Sequence, residues 1–140
     1  MIDTINIQLD EIAIMPVREH AWDAGIDIKT PYFFTLEAHS AYVIDTGVHV
    51  EIPAGYAGIL KSKSGLNVWH GIVSEGVIDA GYSGSIKVKL YNHSDTNRVF
   101  QRGDKISQLL IVPIETPIIK LVDQIKSGDR GDNGFGSTGR

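Results

Sequence analysis

The feature that most constrains this chain is its broken rhythm: short alternating apolar runs, each closed by Gly, Pro, Asn or Asp. Ile5 to Leu9, Ala41 to Ile44, Val48 to Ile52, Tyr56 to Leu60 and Ser85 to Tyr91 all follow this pattern, which is that of half-buried strands between turns. An all-β domain is expected. Ser85 to Tyr91 is the clearest strand, with Ile86, Val88 and Leu90 on the core face and Lys87 and Lys89 on the other. Leu109 to Val112 is continuously apolar, which fits a strand covered on both faces or one facing a neighbouring subunit. No long amphipathic helix is evident; Leu66 to His70 makes at most a turn or a short helix. With 140 residues, 42% of them hydrophobic, the chain builds one core and has no room for a second domain.

The last fourteen residues, Ser127 to Arg140, hold five glycines around a single apolar side chain, Phe135. Ordering so many glycines costs more backbone entropy than one phenylalanine offsets. The expected division is therefore a β domain over 1–126 and an arm over 127–140 that stays mobile until something binds it. Arg130 supplies a planar fork for phosphate oxygens, Phe135 a face for a base, and Gly136, Ser137 and Thr138 hydroxyls and approachable backbone amides. The arm reads as a lid over a nucleotide; the bland alternative is a flexible chain end. Two Arg-Gly-Asp triplets, at 102–104 and 130–132, are discounted as chance matches.

Zero cysteines exclude disulfides, thiolate metal sites and cysteine nucleophiles. A net charge of −4 argues against general nucleic-acid binding but leaves room for a small anion held by local cations. No apolar run is long enough to span a membrane, and the start at Met1-Ile2-Asp3-Thr4 has no signal-peptide pattern. A soluble cytoplasmic protein without a membrane partner is expected. The five histidines lack metal-ligand spacing and read as structural or surface residues, and Trp22 and Trp69 as packing residues.

Several short segments offer groups for chemistry. Gly76 to Gly84 reads as a hairpin whose open backbone at Gly76 and Ile78 can pair with a base edge, with Asp79 as a potential base and Tyr82 as a ring platform. A plain surface hairpin is the alternative. Lys61-Ser62-Lys63-Ser64-Gly65 combines cations, hydroxyls and a glycine, an anion-binding composition if the chain turns there into a short helix, and otherwise a solvated loop. Gln108, after the Gly103-Asp104 turn, has an amide that can donate to a phosphate or merely satisfy a nearby backbone group. Asp27 lies among small and apolar residues, where a carboxylate needs a cation.

Taken in order, these five segments resemble the motifs of the trimeric dUTP pyrophosphatase (dUTPase) family, from residue 24 to the tail. The resemblance implies a β jelly-roll-like subunit and a homotrimer, with each active site shared among three chains. It implies hydrolysis of dUTP to dUMP and pyrophosphate, which keeps uracil out of DNA and supplies dUMP for thymidylate synthesis. Asp79 would orient or deprotonate the water attacking the α-phosphorus. Gly76 and Ile78 would read uracil, and Tyr82 would sit beneath the deoxyribose and crowd out a 2'-hydroxyl. Lys63, Ser64, Gly65 and Gln108 match phosphate-binding positions, and Arg130, Phe135, Gly136, Ser137 and Thr138 would close over the nucleotide. Mg2+ would be held by the phosphates and waters, with no direct protein ligand and Asp27 in an outer shell at most. Two departures stand out. Lys63 replaces the usual arginine before Ser-Gly, and Val73-Ser74-Glu75 stands where many members carry an asparagine.

Two other readings compete. dCTP deaminases share a similar subunit, but the position of their water-activating glutamate corresponds to Lys89, which cannot do that work. A nucleotide-gated binding protein would need a partner surface, and Asn92 to Arg102 leaves only a short turn where phage-type members carry insertions.

Overall fold

The computed structural model describes residues 2–139; Met1 and Arg140, the last residue of the glycine-rich arm, lie outside the described residues. Its elements are β1 (Asn6–Leu9), β2 (Ile26–Lys29), β3 (Phe34–Leu36), β4 (Ala41–Asp45), β5 (Val48–Glu51), β6 (Tyr56–Lys61), α1 (Ser64–His70), β7 (Ile72–Val73), β8 (Glu75–Asp79), β9 (Lys87–Asn92), β10 (Arg98–Phe100) and β11 (Lys105–Pro113). The all-β expectation is borne out, with α1 as the one short helix among the described residues.

All pairings are antiparallel. β2, β11, β6 and β8 form one sheet in that order, β4, β9 and β7 a second, and β1–β5 and β3–β10 two smaller pairs. Alternation explains why they close on one core. Val88 and Leu90 of β9, preceded by Ile86, point inward while Lys87, Lys89 and Tyr91 face out, and they meet Ile28, Leu36, Ile44, Val48, Ile106 and Leu109 from the surrounding strands. Each such side chain contributes about 1.5–3 kcal/mol by leaving water. β11, the longest strand, lies between β2 and β6 in the larger sheet, and its run Leu109 to Val112 is buried at Leu109 and half-buried beyond.

Two expectations are corrected. Gly76 to Gly84 is not a paired hairpin: β8 pairs with β6, and after the Asp79–Tyr82 turn the chain crosses to β9, whose partners are β4 and β7. The lysine-flanked alternation of β9 fits the second sheet, and this leaves β8 at the edge of the first. Trp22 and Trp69 are not packing residues within the chain, being 98% and 79% exposed. Trp22 lies in the turn-rich stretch before β2 and Trp69 on the outer face of α1, whose buried side chain is Leu66.

The turn after β9 is internally built. The buried Asn92 amide donates to the carbonyls of Leu36, Glu37 and Thr96, while its oxygen accepts from Ser94. Beyond β11 every described residue is exposed, including Ile118, Ile119, Leu121 and Ile125. Such a run of apolar side chains is left uncovered among the described residues.

Candidate active site

Antiparallel register puts Asp27, Gln108 and Lys61 side by side across β2, β11 and β6. Residues paired in this way share a sheet face, so one carboxylate, one amide and one ammonium are collected from segments far apart in sequence. Asp27 is only 5% exposed, yet charged. Its Oδ1 accepts a hydrogen bond from Lys63 and its Oδ2 lies 2.9 Å from the Lys105 ammonium, which also reaches Glu19 at 2.9 Å. Burial pushes the Asp27 carboxyl up, but the hydrogen bonds and charges of Lys63 and Lys105 outweigh it and hold the group below the usual carboxylate range. Lys105 is held firmly protonated by Asp27 first and Glu19 second.

The turn into α1 is fixed by buried hydroxyls. Ser62 Oγ donates to Ser74 O and accepts from Ser74 N, Ser74 Oγ and Ser107 Oγ are 2.8 Å apart, and Ser107 Oγ donates to Lys61 O. This lattice ties the end of β6 to β11 and to the β7–β8 connection, so the chain enters α1 at Lys63 with Ser64 and Gly65 exposed in its first turn. Gln108 Nε2 donates to Ser62 O at 2.8 Å, leaving its second N–H free. Its side chain lies directly over Gly25, where an added Cβ would stand 3.0 Å from Gln108 Cδ and closer still to its oxygen. A larger residue there would push the Gln108 amide from its place.

At the other end of β8, Asp79 is exposed and its carbonyl accepts from Tyr82 N. The Tyr82 ring folds back across Gly84, where a Cβ would lie 2.6 Å from Cζ, and its hydroxyl donates to Ser85 O at 2.9 Å. The ring is thereby braced with one side open. Gly76 and Ile78 pair with Leu60 and Gly58 of β6, and the outer edge of β8 has no strand beside it. Ile78 is buried, so only its backbone is available to a ligand.

The arm gathers its own groups. Arg130 Nη2 donates to Ser137 Oγ at 2.8 Å and to Gly134 O at 3.3 Å, and with Phe135, Gly136 and Thr138 these residues line one open concavity. Phe135 is wholly exposed, and no described hydrogen bond joins residues 127–139 to the β body.

The expected residues thus form three groups within one chain: Lys63, Ser64, Gly65 and Gln108 with Asp27; Gly76, Ile78, Asp79 and Tyr82; and the arm. Asp79 pairs with Ala57 and Glu75 with Lys61, so Asp79 stands at the far end of the β6–β8 ladder from the first group, while Gly76, paired with Leu60, lies near it. At about 3.3 Å per residue Asp79 and the Lys61 end are on the order of 13 Å apart along the sheet. Sequence reasoning missed the seryl lattice of Ser62, Ser74 and Ser107 and the second cation on Asp27, Lys105. The signal available was Ser107 preceding Gln108 in an otherwise apolar strand. Lys89 is exposed on β9 with its ammonium over the Tyr91 ring, away from all three groups.

For a divalent cation the fit is poor. A carboxylate neutralised by two ammonium groups is a weak ligand, and among the described residues no three His, Asp or Glu side chains converge on one point. Asp27 is a partner of lysines.

An all-β body whose main sheet gathers Asp27, Gln108, Lys63 and Lys105 at one end, with a glycine-rich arm beyond it, defines the class into which the comparisons fall. Residues 11–139 match the dUTPase family model. The chain belongs to the dUTPase family. It is 37% identical over 135 residues to the deoxyuridine 5'-triphosphate nucleotidohydrolase of Clostridium kluyveri, covering 94% of each chain. The protein of that name from Oryza sativa is 38% identical, covering 94% of this chain and 78% of the relative. Among solved structures, the dUTPase of Staphylococcus bacteriophage 80alpha with dUPNHPP superposes with a TM-score of 0.91 at 34% identity, over 99% of this chain and 100% of that one. The dUTPase from phage phi11 of S. aureus gives 0.82 at 34% identity, over 90% of this chain and 100% of the other. The jelly-roll-like fold expected for the family is therefore the fold of this chain.

Proposed function

We infer that this chain is a dUTP diphosphatase that hydrolyses dUTP to dUMP and pyrophosphate, keeping uracil out of DNA and supplying dUMP for thymidylate synthesis. The observation that carries this reading is the near full-length match to dUTP nucleotidohydrolases, together with the likeness to a dUTPase solved with dUPNHPP.

The substrate is dUTP carrying Mg2+ on its phosphates and waters, with Asp27, bound by Lys63 and Lys105, in an outer shell at most. Asp79 accepts a proton from, or orients, a water aligned with the α-phosphorus. The new P–O bond forms as the bridging bond to the β-phosphate breaks, and pyrophosphate leaves with the displaced electron pair. Ser64, Gly65 and the free N–H of Gln108 donate to phosphate oxygens, with Ser64 stabilising charge on the leaving side. Lys63, anchored on Asp27, adds positive charge but no bidentate fork. Gly76 and Ile78 pair with uracil through the open edge of β8, and Tyr82 lies under the deoxyribose. Arg130, Phe135, Gly136, Ser137 and Thr138 close over base and γ-phosphate and exclude bulk water.

The separation of Asp79 from Ser64 along β6–β8 favours a homotrimer with shared sites: a single chain does not bring its water-orienting carboxylate to its own phosphate donors. The group at Asp79 then comes from one subunit, that at Ser64 and Gln108 from a second, and the arm, 127–140, from a third. The exposed apolar run from Ile118 to Ile125 suits a chain that crosses to a neighbour. No described helix is long and apolar enough to cross a membrane. The enzyme serves the cytoplasmic nucleotide pool and binds neither membrane nor nucleic acid.

Hydrolysis in H2(18)O tests the reaction centre. Label in the dUMP phosphate is the expected result; label in pyrophosphate would place the attack on the β-phosphorus and deprive Asp79 of its role at the α-phosphorus.

A further inference from the structure

The turn that carries Asp79 and Tyr82 is fastened to the rest of the subunit through a histidine on the neighbouring strand. His49, in β5 and half-buried, has its Nδ1 2.8 Å from the carbonyl oxygen of Ser83 and its Nε2 3.0 Å from Asp10 Oδ1. Both partners are acceptors only. A neutral imidazole has one N–H and satisfies one of them; both contacts together require two donors, which is the imidazolium form. Asp10 is itself anchored, its N–H donating to Gly47 O.

We propose that His49, donating from both ring nitrogens, is a positioning residue that holds the Asp79–Ser85 turn against the β1–β5 pair and so sets the Tyr82 ring and the Asp79 carboxylate for substrate. Nothing else ties Ser83 down among the described hydrogen bonds. Two residues further on, Ser85 Oγ donates to Asp45 Oδ1 at 2.6 Å and Ser85 O accepts the Tyr82 hydroxyl. His49 and Asp45 therefore grip the two residues flanking Gly84, across which the Tyr82 ring lies. Release of Ser83 frees the turn on the Tyr82 side while leaving the Ser85 side fixed.

The titratable groups facing this histidine are Asp10 beyond β1, Asp45 of β4 with its partner Lys87 of β9, Glu51 of β5, which takes the Asn6 amide, and Tyr82 in the turn. The hydrogen bond to Ser83 O, then that to Asp10, raises the His49 pKa above its ordinary value, and the Asp10 and Asp45 charges act in the same direction. The two-donor clamp is therefore complete below about 6.5, the ordinary value for histidine, and is lost as pH rises through the raised value. The neutral ring keeps one N–H, and the Asp10 carboxylate, the stronger acceptor, holds it on Nε2, so Ser83 is the contact released and sugar selection by Tyr82 should weaken over that interval.

This role for His49 rests on the dUTP-hydrolysing reading, so its test has an arm that needs no catalysis. Two-dimensional ring-nitrogen NMR of the full-length protein is to be recorded from pH 5.5 to 9 for wild type and Asp10→Asn, alongside kcat/KM for dUTP and UTP in wild type, His49→Gln and Asp10→Asn. The expected results are a His49 midpoint above 6.5 that moves down in Asp10→Asn, and a dUTP preference that falls with that midpoint in wild type, is flattened in Asp10→Asn, whose amide can donate to the neutral ring and leave Nδ1–H on Ser83, and is lower and flat in His49→Gln. A purely structural histidine would change stability without moving the pH profile of the preference. A His49 midpoint at or below 6.5, or a preference whose pH profile His49→Gln leaves unchanged, overturns the proposal. If wild type turns over no nucleotide while the NMR midpoint behaves as stated, the functional reading fails and the clamp on the turn stands.

Discussion

Lys63, at the threshold of α1, donates to the Asp27 carboxylate in β2, so the residue that stands in place of the family's arginine is committed to a buried acid before any phosphate arrives. The pair joins β2 to the entry of α1, two segments that the proposed function assigns to the phosphate side of the site. It also makes Asp27 a determinant of stability. Hydrogen bonds to charged groups contribute about 1.5–3 kcal/mol, and Asp27→Asn should cost that much near neutral pH.

The sign of the pH dependence follows from the lowered pKa of Asp27. Its contribution is present above the ordinary aspartate value and is lost as pH falls through the lower folded value. Thermal melts from pH 2 to 7 should show wild type and Asp27→Asn converging on the acid side of about 4. A difference that stays constant through this range would mean that Asp27 is not the charged partner of Lys63 and Lys105.

Gly84 is required by the Tyr82 ring. Gly84→Ala places a methyl 2.6 Å from Tyr82 Cζ, and the ring must move off Ser85 O. Loss of that hydrogen bond costs about 0.5–1.5 kcal/mol, and the preference for dUTP over UTP should narrow with it. Melting and steady-state kinetics on the variant check both; an unchanged preference would free sugar selection from the ring position.

The arm carries one aromatic face. Phe135→Ala should cost about 1–3 kcal/mol of transition-state binding if the ring stacks on the base, with no change in melting temperature, since the side chain is fully exposed. Loss of stability without loss of kcat/KM would assign Phe135 to folding instead.

Short apolar runs closed by turn residues are a local signal, and β1, β4, β5, β6 and β9 lie where Ile5 to Leu9, Ala41 to Ile44, Val48 to Ile52, Tyr56 to Leu60 and Ser85 to Tyr91 predict, with full alternation of burial in β9. The short helix at Ser64–His70 follows the same logic. The partner of β8 is not legible, because Gly76 to Gly84 has the turn chemistry of a hairpin while the choice between β6 and β9 depends on which sheet buries Ile78. Residue type alone assigns Trp22 and Trp69 to packing, although burial is decided by which segments the fold lays over a side chain, and none covers these two among the described residues. For the site, the residue types at Asp27, Lys63 and Gln108 are visible, but the row of Asp27, Gln108 and Lys61 across β2, β11 and β6 is a product of register. The His49 link to Ser83 and Asp10 has no local signature at all.

The most direct measurement gives purified protein Mg2+ with dUTP, dCTP, dTTP or UTP and resolves the products by ion exchange, for wild type and Asp79→Asn. The account predicts dUMP and pyrophosphate from dUTP alone, with kcat lowered by roughly 10²–10⁴ in Asp79→Asn, the span of a general base. Formation of dUTP from dCTP, no product from any nucleotide, or an undiminished kcat in Asp79→Asn would contradict it.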